Sequence, residues 1–507
     1  MSWKTISNEA QAAVLAAIPT GWRLDVDKYR SLKDVTSVPS ASGILTREQL
    51  KITELTVVEI VNRLESRELK AVQVLEAFAA RAAIAHQLAD GLQQAKELDE
   101  ALDKGGKLKG PLHGVPIALK DSHEVEGHAA TMGYVSRRNN IAKQDSALVA
   151  TLRAAGGVFF CKTTMPQSGM ALETVSNLWG RTTNPFNRDL GAGGSSGGDA
   201  TLVALRGSPI APSTDMGGSI RVPAAFNGLY GIRPTSDRIP KGGMQNTNTG
   251  NLTIKLSCGP VCHSLGDLEL FTKVINAHPS NKYDVTSVPV PWRTLDYSDR
   301  KLTVGLLTWD GAVMPHPPVL RALAHSKQTL EKAGHEGKST LAATGEPIIP
   351  AFADLLKVFN PRELSAAEAL QLNLKTRALK EQFADAWNNT VGGSGRTIDA
   401  LIAPPAPAVG YPHDFNIYWG YTSLFNLLDY PSVILPIANF KVDPQLDPVD
   451  EKYQPLETNP YDQPNHELYD PGLFANQPST IQIVGRPFED EETIQVSSIL
   501  DTLFKAS

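Results

Sequence analysis

The chain has 507 residues, 41% hydrophobic and 20% charged, with a formal net charge of -6. That is ample for a large core, and length alone gives a prior of about three domains. The composition argues against several classes of protein: no Lys/Arg run suggests nucleic-acid binding, no stretch approaches the ~18 apolar residues of a membrane span, and three cysteines are too few for a disulfide framework.

Met1 to Ile18 carries Glu9 and a short Ala-rich run, which reads as an amphipathic surface helix rather than a secretory signal, so the expected location is cytoplasmic. Residues 53–100 read as two helices. Thr56 and Glu59 stand at capping-box spacing, and Val57, Ile60, Val61 and Leu64 recur at helical period. The second helix is expected from Glu68 to Leu98, with Val72, Leu75, Phe78 and Ala79 on one side. GPLHGVPIALKD (110–121) then feeds a short strand in which Val115, Ile117 and Leu119 alternate and Lys120 stands at the end. A helix over Ser146–Ala155, a Gly156–Gly157 turn and a strand over Val158–Cys161 follow. That order recurs in α/β folds, where ligands gather at strand ends.

Gly191 to Ala200 reads GAGGSSGGDA, and residues 213–221 read STDMGGSIR. Ala200–Leu205 is expected as a helix and Thr214–Gly218 as a turn. Ser219 would then open another helix, with Pro223 tolerated in its first turn. Gly228–Thr235 returns to strand and turn, and residues 279–300 read as a surface connection. Helices are expected around 318–334 and 362–389, a buried strand and loop over Leu401–Val409, a long Pro- and Asp-rich loop over 441–472, a strand over Thr480–Val484 and a closing helix over Glu489–Leu503. No repeat or clean linker divides the chain. One large domain over 1–507 is expected, mainly helical over residues 1–100, with a core over 110–240 holding the glycine, serine and lysine motifs, and the remainder over 241–507.

The glycine clusters suggest backbone amides presented at close range to something small and negative. A serine among such amides is what nucleophilic catalysis with an oxyanion hole requires. The nucleophile needs a base, yet none of the eleven histidines falls in a Ser/His/Asp pattern and no GxSxG elbow is present. A lysine can serve if burial favours its neutral form, and Lys120 ends an apolar strand. Ser195 would bridge Ser219 to Lys120, and the amides of Met216, Gly217, Gly218 and Ser219 would hold the oxyanion. A phosphate cradle competes for the glycine loop, but GxxxxGK[ST] is absent. Lys120 taken alone would more often be an ordinary lysine paired with Asp121. Ser196 is expected to hydrogen-bond the loop, and Thr214, Asp215 and Arg221 to brace the turn. His113, His123 and His128 have no metal-ligand spacing and read as core or loop histidines, and Cys258 and Cys262 read as ordinary thiols around a turn, so no metal site is expected. Met132, Gly133, Tyr418 and Trp419 are candidate pocket residues, although the two aromatics read first as packing.

GGSSGG, TDMGGSIRVPAAFNGLYGIRPT and the upstream GPLHGVPIALKD together resemble the amidase signature family, with all three motifs in the family's order and at its spacing. GRTTNPFN at 180–187, YWGYTSLFNLLDYPSVILP at 418–436 and IQIVGRPFEDEE at 481–492 are similar to its acetamidase-type, fungal branch, so the likeness spans residues 40–500. The resemblance implies an α/β fold, a central mixed twisted β-sheet surrounded by helices, with no cofactor. It implies that Ser219 is the acylated nucleophile, Ser195 the bridging serine on a cis peptide bond, and Lys120 the general base and later acid. The implied reaction hydrolyses small-molecule carboxylic amides to acid plus ammonia or amine, with side activity on esters, anilides or carbamates, and the implied assembly is a homodimer. A glutamine-dependent amidotransferase A-type subunit would share the chemistry, but the acetamidase-like C-terminal half and the lack of a basic face argue against it. The presence of all three catalytic residues argues against a silent binding protein. Two positions depart from the family pattern: Ser213, where Gly is frequent, and Asp199, where Glu or Ser is frequent. Neither is expected to touch the three catalytic side chains.

Overall fold

The computed structural model describes residues 2–89, 92–94, 110–278, 282–339, 364–391, 395–415, 417–456 and 459–506. Their strands are β1 (Leu92–Gln94), β2 (Pro116–Lys120), β3 (Val158–Thr163), β4 (Val175–Ser176), β5 (Gly180–Arg181), β6 (Ile210–Asp215), β7 (Tyr230–Arg233), β8 (Ser257–Cys262), β9 (Thr303–Leu306), β10 (Glu336–Ser339), β11 (Ala400–Ala403), β12 (Ser432–Lys441) and β13 (Pro478–Val484). Eight of them form one mixed sheet in the order β10-β9-β11-β13-β12-β7-β8-β6, and β1-β3-β2 form a second. β9 pairs in parallel with β10 and β11, and the remaining pairs of the large sheet are antiparallel. Helices cover the sheet in a single α/β domain. The main core includes Ile117, Val203, Val222, Ile232, Val433, Ile483 and Leu500, and a satellite joins Phe383, Trp387, Phe425 and Tyr430.

The small sheet and the edge of the large one meet where the site forms. β2 runs parallel to β3, with Lys120 opposite Thr163. Every residue of β2 is buried, so it is covered on both faces, as parallel strands are, and the expected alternation does not describe it. Beside it, Ser208 Oγ, two residues before β6, accepts the Ala118 amide at 3.2 Å.

β6 corrects the expected turn at Thr214. Thr214 and Asp215 are the last residues of a fully buried strand, paired with β8 from Ile210↔Cys262 to Asp215↔Ser257. Its Pro-Ser-Thr-Asp stretch has no apolar period, so the strand is set by tertiary pairing. The terminal place of β6 in the sheet order is where Pro212 is tolerated. Cys258 and Cys262 likewise lie on a buried strand, β8, rather than around a turn.

The capping box at Thr56 forms: Thr56 Oγ1 accepts the Glu59 amide at 3.2 Å, and Glu59 Oε2 accepts the Thr56 amide at 2.8 Å. The following helix spans Ala71–Ala89, and Leu92–Gln94 is a strand on β3 rather than helix; the rest of the stretch to Leu98 lies outside the described residues. Val74, Ala77 and Phe78 form its buried face, while Val72, Leu75 and Ala79 are only partly covered. The segment is Ala-rich on every side, which leaves the choice of face to packing. The expected loop 441–472 contains a helix at Asp462–Leu468. Its aspartates anchor the chain: Asp462 accepts the Met314 and Leu456 amides at 2.8 and 2.7 Å, and Asp447 takes Arg321 Nη2 at 2.7 Å. Among the described residues no helix is long and apolar enough to cross a membrane.

Candidate active site

Lys120 ends β2 with its side chain fully buried. Its Nζ lies 2.8 Å from Ser195 Oγ, 2.8 Å from Ser196 Oγ and 2.9 Å from Thr214 Oγ1. No carboxylate among the described residues stands within ion-pair distance of it. Asp121, the expected partner, pairs instead with Lys162 at 3.1 Å and accepts the Thr131 hydroxyl. Burial brings the Lys120 pKa down to about 8, against the opposing pull of Asp199 and Asp215. A neutral amine keeps two N–H donors and gains one lone pair, so it can accept a proton from one surrounding hydroxyl.

The glycine loop brings Ser195 and Ser196 to this amine by backbone-to-backbone packing. A Cβ on Gly194 would lie 2.6 Å from Ala171 O, and one on Gly198 would lie 2.5 Å from Thr164 N and O. The Gly194–Ser195 peptide bond is cis. Directly after Ser196 the chain enters the helix Gly197–Ala204. Ser196 and Thr214, expected to support the loop and the turn, are thus direct neighbours of the lysine; their separation in sequence left no local signal of it.

β6 delivers the second turn. Asp215 and Arg221 are fully buried and joined by two hydrogen bonds at 3.0 Å. The carboxylate also accepts the Gly218 amide at 2.9 Å, the Ile220 amide at 3.1 Å and Asn426 Nδ2 at 2.9 Å. Burial alone would raise its pKa, but Arg221, then Asn426 and Arg233, carry it well below the usual carboxylate range. Asp215 and Arg221 therefore brace the turn. Arg221→Ala leaves that charge buried without its counter-ion, and such losses run to about 3–5 kcal/mol. Urea denaturation of the purified variant measures it, and a loss below about 1 kcal/mol would show that the pair is not the brace.

Both ends of the 217–218 peptide are engaged. Thr422 Oγ1 donates to Gly217 O at 2.6 Å, and the Gly218 N–H points at Asp215. Of the four amides expected to hold an oxyanion, Gly218's is therefore already occupied. Those of Met216, Gly217 and Ser219 have no partner among the described residues, nor has the Ser219 hydroxyl. Ser219 sits on the turn between β6 and the helix Arg221–Phe226, and no direct Ser195–Ser219 hydrogen bond is present.

Trp419 lies against this turn: a Cβ on Gly217 would be 2.7 Å from its ring. Tyr418 is packing, with its hydroxyl donating to Asp310 Oδ2 at 2.8 Å and its ring beside Tyr421 and Tyr461. Met132 is buried with a positive φ, and the Gly133 amide donates to Thr131 Oγ1 at 3.1 Å. Asn248 Nδ2 stands 3.7 Å from the sulfurs of Met216, on the turn, and of Met170; Asn248 and Met170 are neighbours of the turn that no motif announced. His123 is buried on Pro212 O, its pKa pushed down to about 3 by burial and by the Lys162 and Lys120 charges. All three cysteines are buried free thiols. The two family departures touch each other: Ser213 Oγ donates to Asp199 Oδ2 at 2.7 Å, and Thr163 Oγ1 donates to Asp199 Oδ1. Among the described residues no group of three potential metal ligands gathers.

A family model described as Amidase matches residues 71–343. The chain is 65% identical to an amidase of Gibberella zeae over 100% of both chains. It is 36% identical to an acetamidase of Emericella nidulans, covering 98% of this chain and 97% of that one. A solved structure of a fatty acid amide hydrolase superposes with a TM-score of 0.88 at 29% identity, covering 99% of this chain and 95% of the other. A bacterial aryl acylamidase superposes with a TM-score of 0.66 at 21% identity, covering 89% and 96%, a likeness of fold.

Proposed function

The chain belongs to the amidase signature family and is a hydrolase of amide C–N bonds, and from that premise we propose that Ser219, Ser195 and Lys120 carry the reaction through an acyl-enzyme. The observation that supports this most is the buried Lys120 amine, ringed by three hydroxyls with no carboxylate of the described residues in ion-pair reach. Ser219 Oγ attacks the amide carbonyl while its proton passes through Ser195 to neutral Lys120. The oxyanion is held by the amides of Met216, Gly217 and Ser219; losing one such donor typically costs ~2.7–4 kcal/mol of transition-state stabilisation. Lys120 returns the proton through Ser195 to the leaving nitrogen, the C–N bond breaks, and ammonia or an amine departs. Water then attacks the acyl-enzyme, giving its proton to the same relay, and Ser219 is regenerated with release of the acid.

The substrates in this reading are small or medium carboxamides, with esters, anilides and carbamates as side activities because their carbonyls meet the same machinery. The acetamidase of Emericella nidulans, related over nearly the whole chain, favours this over an amidotransferase subunit. A hydrolysis screen over acetamide, benzamide, an anilide, a carbamate and a fatty amide tests it, with release of acid from at least one amide as the expected result. Ammonia release from glutamine alone would overturn it in favour of the amidotransferase. A cytoplasmic location and a homodimer belong to the same reading through the family resemblance, and sedimentation of the purified chain checks the second.

A further inference from the structure

We propose that Asp199 is a positioning residue for the base: its buried carboxylate, held by Thr163 and Ser213, sets whether Lys120 carries a proton. The inference rests on the reading of Lys120 as the base. The two groups are held by the same parts of the fold. Thr163 stands opposite Lys120 in the β2–β3 register and donates its hydroxyl to Asp199. Adjacent residues of β6 divide in the same way, Thr214 reaching Lys120 and Ser213 reaching Asp199 at 2.7 Å. The glycine loop presents Ser196 to Lys120, and three residues later, in the first turn of the helix Gly197–Ala204, it places Asp199 itself. The glycine loop and β6, which hold the amine, therefore also hold the carboxylate.

The charges around Asp199 leave it one counter-charge. Arg81, on the helix Ala71–Ala89, pairs with Glu54, and Glu76 on that helix is exposed. On β3, Lys162 pairs with Asp121. On β6 and the helix Arg221–Phe226, Asp215 pairs with Arg221. Burial keeps the thiols of Cys161, Cys258 and Cys262 protonated and lowers the pKa values of His86, His123 and His263, so these groups are neutral. Asp199 and Lys120 remain, each without an opposite charge in ion-pair reach among the described residues, and each with its ionised form opposed by burial.

Two such groups titrate as a pair. With Asp199 ionised, its field favours the ammonium form of Lys120, which cannot act as a base. With the proton on Asp199 instead, the lysine is a free amine and neither group is charged. Asp199 thus governs the pH at which the relay becomes competent, without touching substrate.

The pH dependence of inactivation by a fluorophosphonate probe reads this directly and needs no knowledge of the natural amide. Asp199→Asn removes the charge and keeps the size. Its acid limb is expected to move to lower pH by about one unit or more, a tenfold change in proton affinity of the base. Asp199→Glu restores the charge and is expected to return the limb toward that of the wild type. Ser213→Ala removes one hydrogen bond to the ionised carboxylate and is expected to shift the limb in the same direction as Asp199→Asn, by less; it carries the test if Asp199→Asn does not fold. A folded Asp199→Asn protein with an unmoved limb, or one moved to higher pH, overturns the proposal, as does an altered thermal melt with no shift of the limb. Absence of any acid limb in the wild type would instead sink the reading of Lys120 as base.

Discussion

Ser219→Ala is expected to abolish turnover, by roughly 10⁶-fold where a covalent nucleophile is removed, and to leave the fold intact. The Ser219 hydroxyl has no hydrogen-bond partner among the described residues, so its loss breaks no internal contact. The turn that carries it is held by other groups: Asp215 with Arg221, the Gly218 and Ile220 amides, and Thr422 on Gly217 O. Fluorophosphonate labelling, followed by intact mass, is expected to disappear with the activity while the thermal melt stays within error of the wild type. An adduct of undiminished yield in Ser219→Ala would place the nucleophile elsewhere. A melt lowered as far as in Arg221→Ala would mean that the serine supports the turn rather than reacts.

Lys120→Met is expected to lower kcat/KM by about 10²–10⁴-fold, the usual contribution of general acid–base catalysis, and to change the shape of the pH profile. Burial brings the amine from its ordinary 10.5 to about 8, and only the unprotonated form accepts the Ser219 proton. In the wild type the rate therefore rises with pH below about pH 8 and levels off above it, as the amine, titrating together with Asp199, loses its proton. The Met variant has no such group, so that limb is expected to vanish. A wild-type limb that persists unchanged in Lys120→Met would assign it to another residue and contradict the relay. Since Met fills similar volume without a charge, a melt near that of the wild type separates loss of the base from loss of the fold.

Much of the site could be read from local sequence because its components are backbone motifs. Two glycine-flanked serine segments and an apolar strand ending in lysine require particular backbone geometry over a few residues, and each segment carries that requirement itself. The capping box at Thr56 is legible for the same reason. Thr214 shows the limit: its segment is too polar to read as strand, and only pairing with β8 across a chain separation of over forty residues makes it one. The two family departures, Ser213 and Asp199, stand fourteen residues apart in the chain and are hydrogen-bond partners in the fold.

By itself the sequence determined the family and the α/β class, and it supplied the identities of the lysine and two serines that the proposed chemistry uses. Tertiary structure decided which hydroxyls surround the amine, that Gly218's amide is occupied by Asp215, and that Asp199 is held by the residue opposite Lys120 on β3 and the residue beside Thr214 on β6. The division follows from range: turn and capping geometry depends on bonds and sterics within a few residues, whereas the protonation of a buried amine depends on burial and on charges brought near it by strands and helices distant in the chain.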